Sequence, residues 1–499
     1  MLGRFIQDLA IYLPSKLLPA LTALITVPIL TRLLTPLEFG NYALAVGAYE
    51  FLFAVSCSGL GAAAVRFYPA YQVQDRLRAF FAAVGGSVLF AVAATCLGAL
   101  LLLTLLGESL PTDLLPLLFI SVLIFAVQAP HAVLMQVARA QERSRLYTII
   151  DLSTNYGGLA LGLLLLVALG WGVPGLLWGL FASFALALTV LASQVTRGRA
   201  HGSWQLANSD VTSLWRYAWP LALGNMAMWG LRLSDRYLIG VFRSRAEVGL
   251  YSAAYNISSK SIDILVAVFL LSLGPLVINT WEKLGREPTE RAMYSTARVY
   301  LVVCLPAAVG LTTLAGPFVA ALTDAPYHAG AQIVGFVVFS SFAYGLSQIA
   351  SLGLLLAKRT GRIAVNQTLA VLVNLGLNCV LIPRYGFVAA GATTLISYVT
   401  LLVLQVLAAR SHLAWSFPYR TLRNTALASI VAGATSVALY TGSGDAGGVH
   451  FGFLLLAIVA AIAGYGLVLL ALGELDARER AAIRQHLGRV VHKLATPLS

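Results

Sequence analysis

Charge is what this chain has least of. Asp, Glu, Lys and Arg make up 11% of its 499 residues, where soluble domains carry roughly a quarter. So few charges cannot coat a water-exposed surface, and a large soluble domain is excluded. Cysteine is scarce as well, with four in all. Cys57, Cys96, Cys304 and Cys379 fall inside apolar runs without metal-ligand spacing and read as small core residues. H-E-x-x-H, G-x-S-x-G and a paired-acid cluster at a membrane face are all missing, so no catalytic residue and no metal ligand is assigned. Polar segments are short throughout, which leaves no platform outside a bilayer on which an enzyme could be built.

What the sequence does have is apolar length: 59% of residues are hydrophobic, in runs of about 20. Backbone polar groups in lipid must be satisfied within a helix or a closed barrel, and runs of that length select helices. The fold class expected is an all-α integral membrane protein with about 14 transmembrane helices. The spans fall near 9–31, 41–65, 79–106, 114–138, 146–169, 173–195, 214–240, 249–278, 298–322, 331–357, 361–382, 386–409, 423–441 and 452–473. The first run lacks a small-residue cleavage site and is read as retained.

Lys and Arg are distributed asymmetrically. With the N-terminus cytoplasmic, alternate loops and the tails hold about 25 of the 33 cations, and the opposite loops about four, namely Arg32, Arg243, Arg245 and Arg384. Both termini are therefore expected inside. The net charge of +13 follows from this topology, and no nucleic-acid partner is expected, because no soluble basic module presents a groove or arm. The tail 474–499 carries Ile483, Leu487, Val490, Val491 and Leu494 on one stripe beside Arg484, Arg489 and Lys493. It reads as a cytoplasmic amphipathic helix on the anionic leaflet.

The chain repeats itself. Glu38-Phe-Gly40-Asn-Tyr42-Ala-Leu-Ala45 recurs as Glu247-Val-Gly249-Leu-Tyr251-Ser-Ala-Ala254, and a looser echo relates the loops at 141–145 and 358–362 with the span pairs after them. An offset of six spans preserves orientation, so the repeat is parallel. The expected organisation is two pseudo-symmetric six-helix lobes, 1–200 and 201–412, followed by an additional helix pair at 413–473 and the tail.

The stretches Val27-Pro-Ile-Leu-Thr-Arg-Leu-Leu-Thr-Pro-Leu-Glu-Phe-Gly-Asn-Tyr-Ala and Gly59-Leu-Gly61-Ala-Ala-Ala-Val-Arg66-Phe-Tyr resemble the opening of Wzx-type polysaccharide flippases, whose superfamily also holds the MATE drug exporters. The opening sequence of the peptidoglycan-precursor flippases is not visible. The resemblance implies a V-shaped two-lobe transporter in the bacterial inner (plasma) membrane. It would carry a polyprenyl-pyrophosphate-linked oligosaccharide from the inner to the outer leaflet by alternating access, for cell-surface polysaccharide biosynthesis. The partners implied are that substrate, membrane lipids and other polysaccharide-assembly proteins.

An ionisable group at bilayer depth is costly unless it faces a cavity or partner, so each is a site hypothesis. In span seven Asn225, Trp229, Arg232 and Arg236 recur at intervals of four, three and four; in span eight Asn256, Lys260 and Asp263 share a stripe beside Tyr255. A diphosphate-linked sugar demands charge-assisted donors together with amide and aromatic groups. Lys16, Arg232, Arg236 and Lys260 are assigned to the diphosphate, with Asn225, Asn256 and Tyr255 completing the cavity, and Arg66 to the cytoplasmic mouth. Glu50, Asp151 and Asp263 are candidates for coupling to an H⁺ or Na⁺ gradient; no other cofactor is expected. The bland alternative is internal neutralisation, since Asp235 adjoins Arg236 and Asp263 lies three residues from Lys260. Pro14, Pro19 and Pro28 in span one and Pro220 in span seven mark these two as helices able to bend. Competing functions are a drug/cation antiporter, which favours a carboxylate-dominated cavity, and a membrane glycan polymerase or ligase, which needs the missing catalytic platform.

Overall fold

A computed structural model describes residues 24–196, 208–413, 416–441 and 451–474. Lys16, the tail from 475 onward and the loop cations Arg197 and Arg199 lie outside the described residues. Within them the chain is helical and carries no strand. The helices are α1 (Leu24–Leu33), α2 (Pro36–Ser56), α3 (Ser58–Val73), α4 (Leu77–Leu106), α5 (Leu115–Ala140), α6 (Ser144–Leu163) and α7 (Gly172–Thr196). They continue as α8 (Asn208–Phe242), α9 (Arg245–Leu284), α10 (Arg286–Thr313), α11 (Ala315–Leu322), α12 (Ala331–Leu356), α13 (Thr360–Arg410), α14 (Tyr419–Thr441) and α15 (Phe451–Ala471).

Among the described residues nine helices are long and apolar enough to cross a membrane, ten when α2 and α3 count as one bent span. This is a multi-pass membrane protein. Its outward surface is a belt of exposed apolar side chains, such as Leu89, Phe90, Leu97, Leu101 and Leu105 along α4, which water would not tolerate and acyl chains cover.

Two helices are interrupted, one inside an expected span and one between two expected spans. The second span bends by 48° between α2 and α3, where Ser56 and Ser58 turn their hydroxyls back onto the carbonyls of Leu52 and Ala54; such back-bonding bends helices. α13 runs 51 residues, about 75 Å of continuous helix against a hydrocarbon core of about 30 Å. It therefore breaks at Gly386, whose φ of 65° only glycine adopts easily, into two arms that match the separate spans expected from the sequence.

Helices α3–α7 pack chiefly on one another, as do α9–α13; α2 and α8 lie at the seam, α2 chiefly on α8 and α9, and α8 on α2 and α3 as well as on α13, while α14 and α15 attach through α10. That last attachment is polar at its end. Glu474 accepts from Asn424 at 2.8 Å, from the Thr421 hydroxyl and from Arg298, and the Tyr465 hydroxyl donates to the Val302 carbonyl at 2.7 Å.

The repeated motif is one place where the two groups meet. Each copy opens a helix with a polar cap: Thr35 and Glu38 form a capping box on α2, and Ser244 caps α9 through the Glu247 N–H. The glycines five residues on then let the backbones touch. A Cβ on Gly40 would lie 1.9 Å from the Arg245 carbonyl oxygen, and one on Gly249 would lie 1.9 Å from that of Pro36. The contact is reciprocal, as a pseudo-two-fold crossing requires, and it is the small-residue packing that membrane helices use for close approach.

Gly40→Ala or Gly249→Ala should therefore lower the unfolding temperature in detergent, with an overpacking cost of about 1–3 kcal/mol each. Gly85→Ala on α4, where an added Cβ meets nothing within 4 Å, should be neutral or stabilising. Equal behaviour of the three variants would remove the crossing from this account.

Candidate functional site

Just inside that crossing lies a cavity of about 710 Å³. α1 and α2 form one wall, with Phe39, Tyr42, Val46, Glu50 and Phe53, and α5 adds Gln128. α8 and α9 form the other, and α12 and α13 close it with Tyr344 and Tyr398. The helical faces expected from spacing are the faces that line it. Asn225, Trp229, Arg232 and Arg236 all do so from α8, as do Tyr255, Asn256, Ser259, Lys260 and Asp263 from α9. Glu50 faces them across the cavity.

The cations are positioned, not loose. Arg236 is 4% exposed. Its Nε donates to the Ser252 hydroxyl at 3.0 Å, Nη2 to the Asn256 side-chain oxygen at 3.3 Å and Nη1 to the Arg232 carbonyl at 3.3 Å. Its guanidinium sits 5.2 Å over the Tyr255 ring, and that of Arg232 sits 5.5 Å over Tyr344. Aromatic platforms of this kind stabilise a guanidinium while leaving its N–H edges to other acceptors. Asn256 thus holds Arg236 as well as lining the cavity.

The neighbouring acid makes no direct ion pair with these arginines. Asp235 is fully buried and turned away from the cavity. It accepts the Tyr251 and Thr394 hydroxyls at 2.6 Å on one oxygen and the Asn378 amide at 2.6 Å on the other. Asn378 in turn reaches Asn374 at 3.1 Å and accepts from Thr393. Uncharged donors satisfy this carboxylate, so the two arginines one turn apart keep their charge for the cavity. Among the described residues, no ion pair within 4.0 Å includes Glu50, Arg232, Asp235, Arg236, Lys260 or Asp263.

Other expected positions are not brought here. Asp151 lies on α6, half-buried, with the Asn155 amide on its carbonyl at 2.8 Å and no part in the cavity wall. Arg66 is exposed on α3, also away from the wall. Lys16 lies outside the described residues. Conversely, Gln128, Tyr344 and Tyr398 line the cavity from helices whose apolar sequences gave no sign of it.

Both ends of the cavity are bridged between the two helix groups. At the glycine crossing, Asp113 accepts from Arg245 at 2.6 Å and from Asn41 at 2.9 Å, and Arg245 also reaches the Asn41 oxygen at 3.0 Å. The Arg245 hydrogen bond holds the Asp113 carboxyl below the usual carboxylate range, so this link is present at neutral pH and is lost only as pH falls through that depressed value. Glu247 joins Arg243 at 3.2 Å to the Phe387 N–H at 3.1 Å, capping the second arm of α13. At the opposite end α3 lies on α8, where a Cβ on Gly59 would sit 2.0 Å from the Ala218 carbonyl oxygen. There Asp210 accepts from Tyr71 at 2.7 Å and Arg76 at 2.9 Å.

A family model described as polysaccharide biosynthesis protein matches residues 29–332. Two curated relatives are the probable low-salt glycan biosynthesis flippase Agl15 of Haloferax volcanii and the succinoglycan biosynthesis transport protein ExoT of Rhizobium meliloti. The first is 20% identical over 54% of this chain and 56% of that protein; the second is 25% identical over 63% and 62%. The chain thus spans less than two thirds of either relative's length. Among solved structures, the lipid II flippase MurJ in an inward closed conformation superposes with a TM-score of 0.72 at 14% identity, over 91% of this chain and 96% of that one. An inward-facing multidrug resistance MATE family transporter of the MOP superfamily gives 0.66 at 12%, over 79% and 94%. At these identities the likeness shows a shared fold.

Inorganic pyrophosphate is a direct probe of the cationic wall. Arg232→Gln and Arg236→Gln should each weaken its binding to the purified protein about ten- to a hundredfold, the worth of a charge-assisted hydrogen bond. Asp235→Asn, which changes a charge next to Arg236 in sequence but on another face, should change that affinity less than about twofold. Calorimetric titration in detergent separates the two. A loss at Asp235 equal to that at Arg236 would mean that the cavity does not read charge this way.

Proposed function

This chain belongs to the polysaccharide biosynthesis protein family, and from that premise we propose that it is a flippase for an oligosaccharide carried on a polyprenyl diphosphate, serving cell-surface polysaccharide assembly. The observation that carries the reading is the cavity wall on which Arg232, Arg236 and Lys260 stand together while Asp235 is turned away. A diphosphate diester is a compact, doubly charged anion that needs several charge-assisted donors to leave water. The glycan brings hydroxyls that suit Asn225, Asn256, Gln128 and the rings of Trp229, Tyr255, Tyr344 and Tyr398. The names borne by the curated relatives, a glycan biosynthesis flippase and a succinoglycan transport protein, support the same substrate class.

In this proposal the termini are cytoplasmic, so the end with Asp113 and Arg245 faces outward and the end with Asp210 and Arg76 faces inward. The lobes are 1–200 and 201–412, with 413–473 as an appended pair, and the membrane is the bacterial plasma membrane. Glu50 and Asp263 are the carboxylates placed to couple substrate to an H⁺ or Na⁺ gradient, because they share the cavity with the cations; Asp151 does not. Arg66 belongs to the inward mouth. Lys16 is assigned to the diphosphate on its sequence position alone. The protein moves its substrate without chemistry on it. A drug/cation antiporter is disfavoured because three cations outnumber two carboxylates among the charged residues lining the cavity.

Reconstitution into vesicles tests the reading. Labelled polyprenyl-diphosphate oligosaccharide should cross between leaflets at a protein-dependent rate that falls at least tenfold in the Arg232→Gln, Arg236→Gln double variant, while small cationic dyes should not be moved. Dye export with no movement of the lipid-linked glycan would replace this reading with the antiporter.

A further inference from the structure

Glu50 is exposed inside the cavity and stands on α2, opposite the wall that carries the cations. Among the described residues it is in no ion pair within 4.0 Å, yet the charges of Arg236, Lys260 and Arg232 all act on it. It therefore lies at the edge of the cationic patch, near enough to feel it and too far to close on it. Its surroundings are aromatic and polar. Phe51, the next residue, meets Trp229 of α8 at 4.6 Å between ring centroids, Trp229 meets Tyr237 at 5.6 Å, and the Tyr237 hydroxyl is held on the Leu44 carbonyl at 2.9 Å. The indole is thus fixed in place near the carboxylate, with Asn225 one turn before it on the same face and Gln128 of α5 also in the wall. The Trp229 N–H and the Gln128 side-chain oxygen are buried and have no partner among the described residues. A buried donor and a buried acceptor left single are costly, and a hydroxyl can answer either one.

We propose that Glu50 and Trp229 read the sugar bonded directly to the diphosphate, and that Glu50 makes the cavity selective for an uncharged sugar at that position over an acidic one. This selectivity rests on the flippase reading and narrows its substrate. A single oxygen joins that sugar to phosphorus, so a diphosphate held by Arg232, Arg236 and Lys260 brings the sugar ring to the edge of the patch, where Glu50 and Trp229 stand. A neutral sugar suits the place: its hydroxyls donate to the carboxylate, and its C–H face packs on the indole. A uronic acid does not. Its carboxylate would meet that of Glu50 while the nearby cations are already engaged by the diphosphate, and like charges brought together without a counter-ion are a means by which a site rejects the wrong ligand. Asp263 does not take this role, because it stands on the cation wall itself, where Lys260 and Arg232 act on it. A part for Glu50 in ion coupling is separable from this one, since loss of a coupling ion slows every substrate alike.

The test compares two ligands that differ in one group. Water-soluble short-chain prenyl diphosphates carrying either glucose or glucuronic acid compete for the purified protein in detergent. The native protein should bind the glucosyl compound about tenfold or more tightly than the glucuronyl one. Glu50→Gln, which keeps the size of the side chain and removes its charge, should bring the two within about twofold by tightening the glucuronyl compound. Trp229→Ala should weaken both by a similar factor and leave their ratio standing. Equal affinities for the native protein, a comparison that needs no variant, would overturn the selectivity. So would a preference that survives Glu50→Gln intact, or an unweakened Trp229→Ala. Native vesicles given the two full-length lipids keep the ideas apart. Movement of both lipids at one rate defeats the selectivity alone, and a binding preference without movement of either lipid defeats the flippase reading alone.

Discussion

A charge inside the hydrocarbon slab must be answered locally, and the whole architecture can be read from how α8 answers its three. Asp235 is answered by hydroxyls and an amide from α9 and α13. Arg232 and Arg236 are answered by ring faces, Ser252 and the Asn256 oxygen. Anion and cations on one helix are thus kept on separate faces by neutral partners. The alternative, mutual neutralisation, would have given a dry and inert interface. Because the partners are neutral, positive charge remains directed at the cavity, and a cavity of that kind must hold water or an anion.

That arrangement depends on holding α8 and α9 against α2 without filling the space beneath them. The glycine crossing supplies this. Gly40 and Gly249 bring the two backbones into contact at one level, and the bulkier residues that follow, Tyr42 and Val46 on one side and Tyr255 and Asn256 on the other, line the cavity below. The repeated motif therefore has a physical reason to be repeated. A pseudo-two-fold contact needs the same small residue and the same capped helix start on both partners, since whatever one copy presents the other must accept.

Much of this was legible in the sequence, and the remainder failed for identifiable reasons. Spacings of four, three and four along span seven fix a helical face whatever the tertiary structure, so Asn225, Trp229, Arg232 and Arg236 came out together. Asp235 sits at the flank of that face, and its orientation was decided by Asn378 and Thr394, residues 143 and 159 positions away that no local pattern connects to it. Sequence position alone favours Glu50, near mid-span, over Asp151, close to the end of its span; the packing of α2 on α8 and α9, against that of α6 on α7, puts Glu50 in the cavity wall and leaves Asp151 out of it. Tyr344 and Tyr398 were invisible because an apolar span with a tyrosine reads as core until the helix opposite it is known. The bend after α2 escaped because serine back-bonding requires side-chain geometry.

The most direct measurement of the central claim is a structure of the protein in lipid nanodiscs with a polyprenyl-diphosphate oligosaccharide bound. The account predicts the diphosphate within ion-pairing distance of both Arg232 and Arg236, between α2 and the α8–α9 wall, with the glycan toward Asn225 and Trp229. A diphosphate bound on the outer surface of the helices, with the cavity between the two groups closed and empty of ligand, would contradict it.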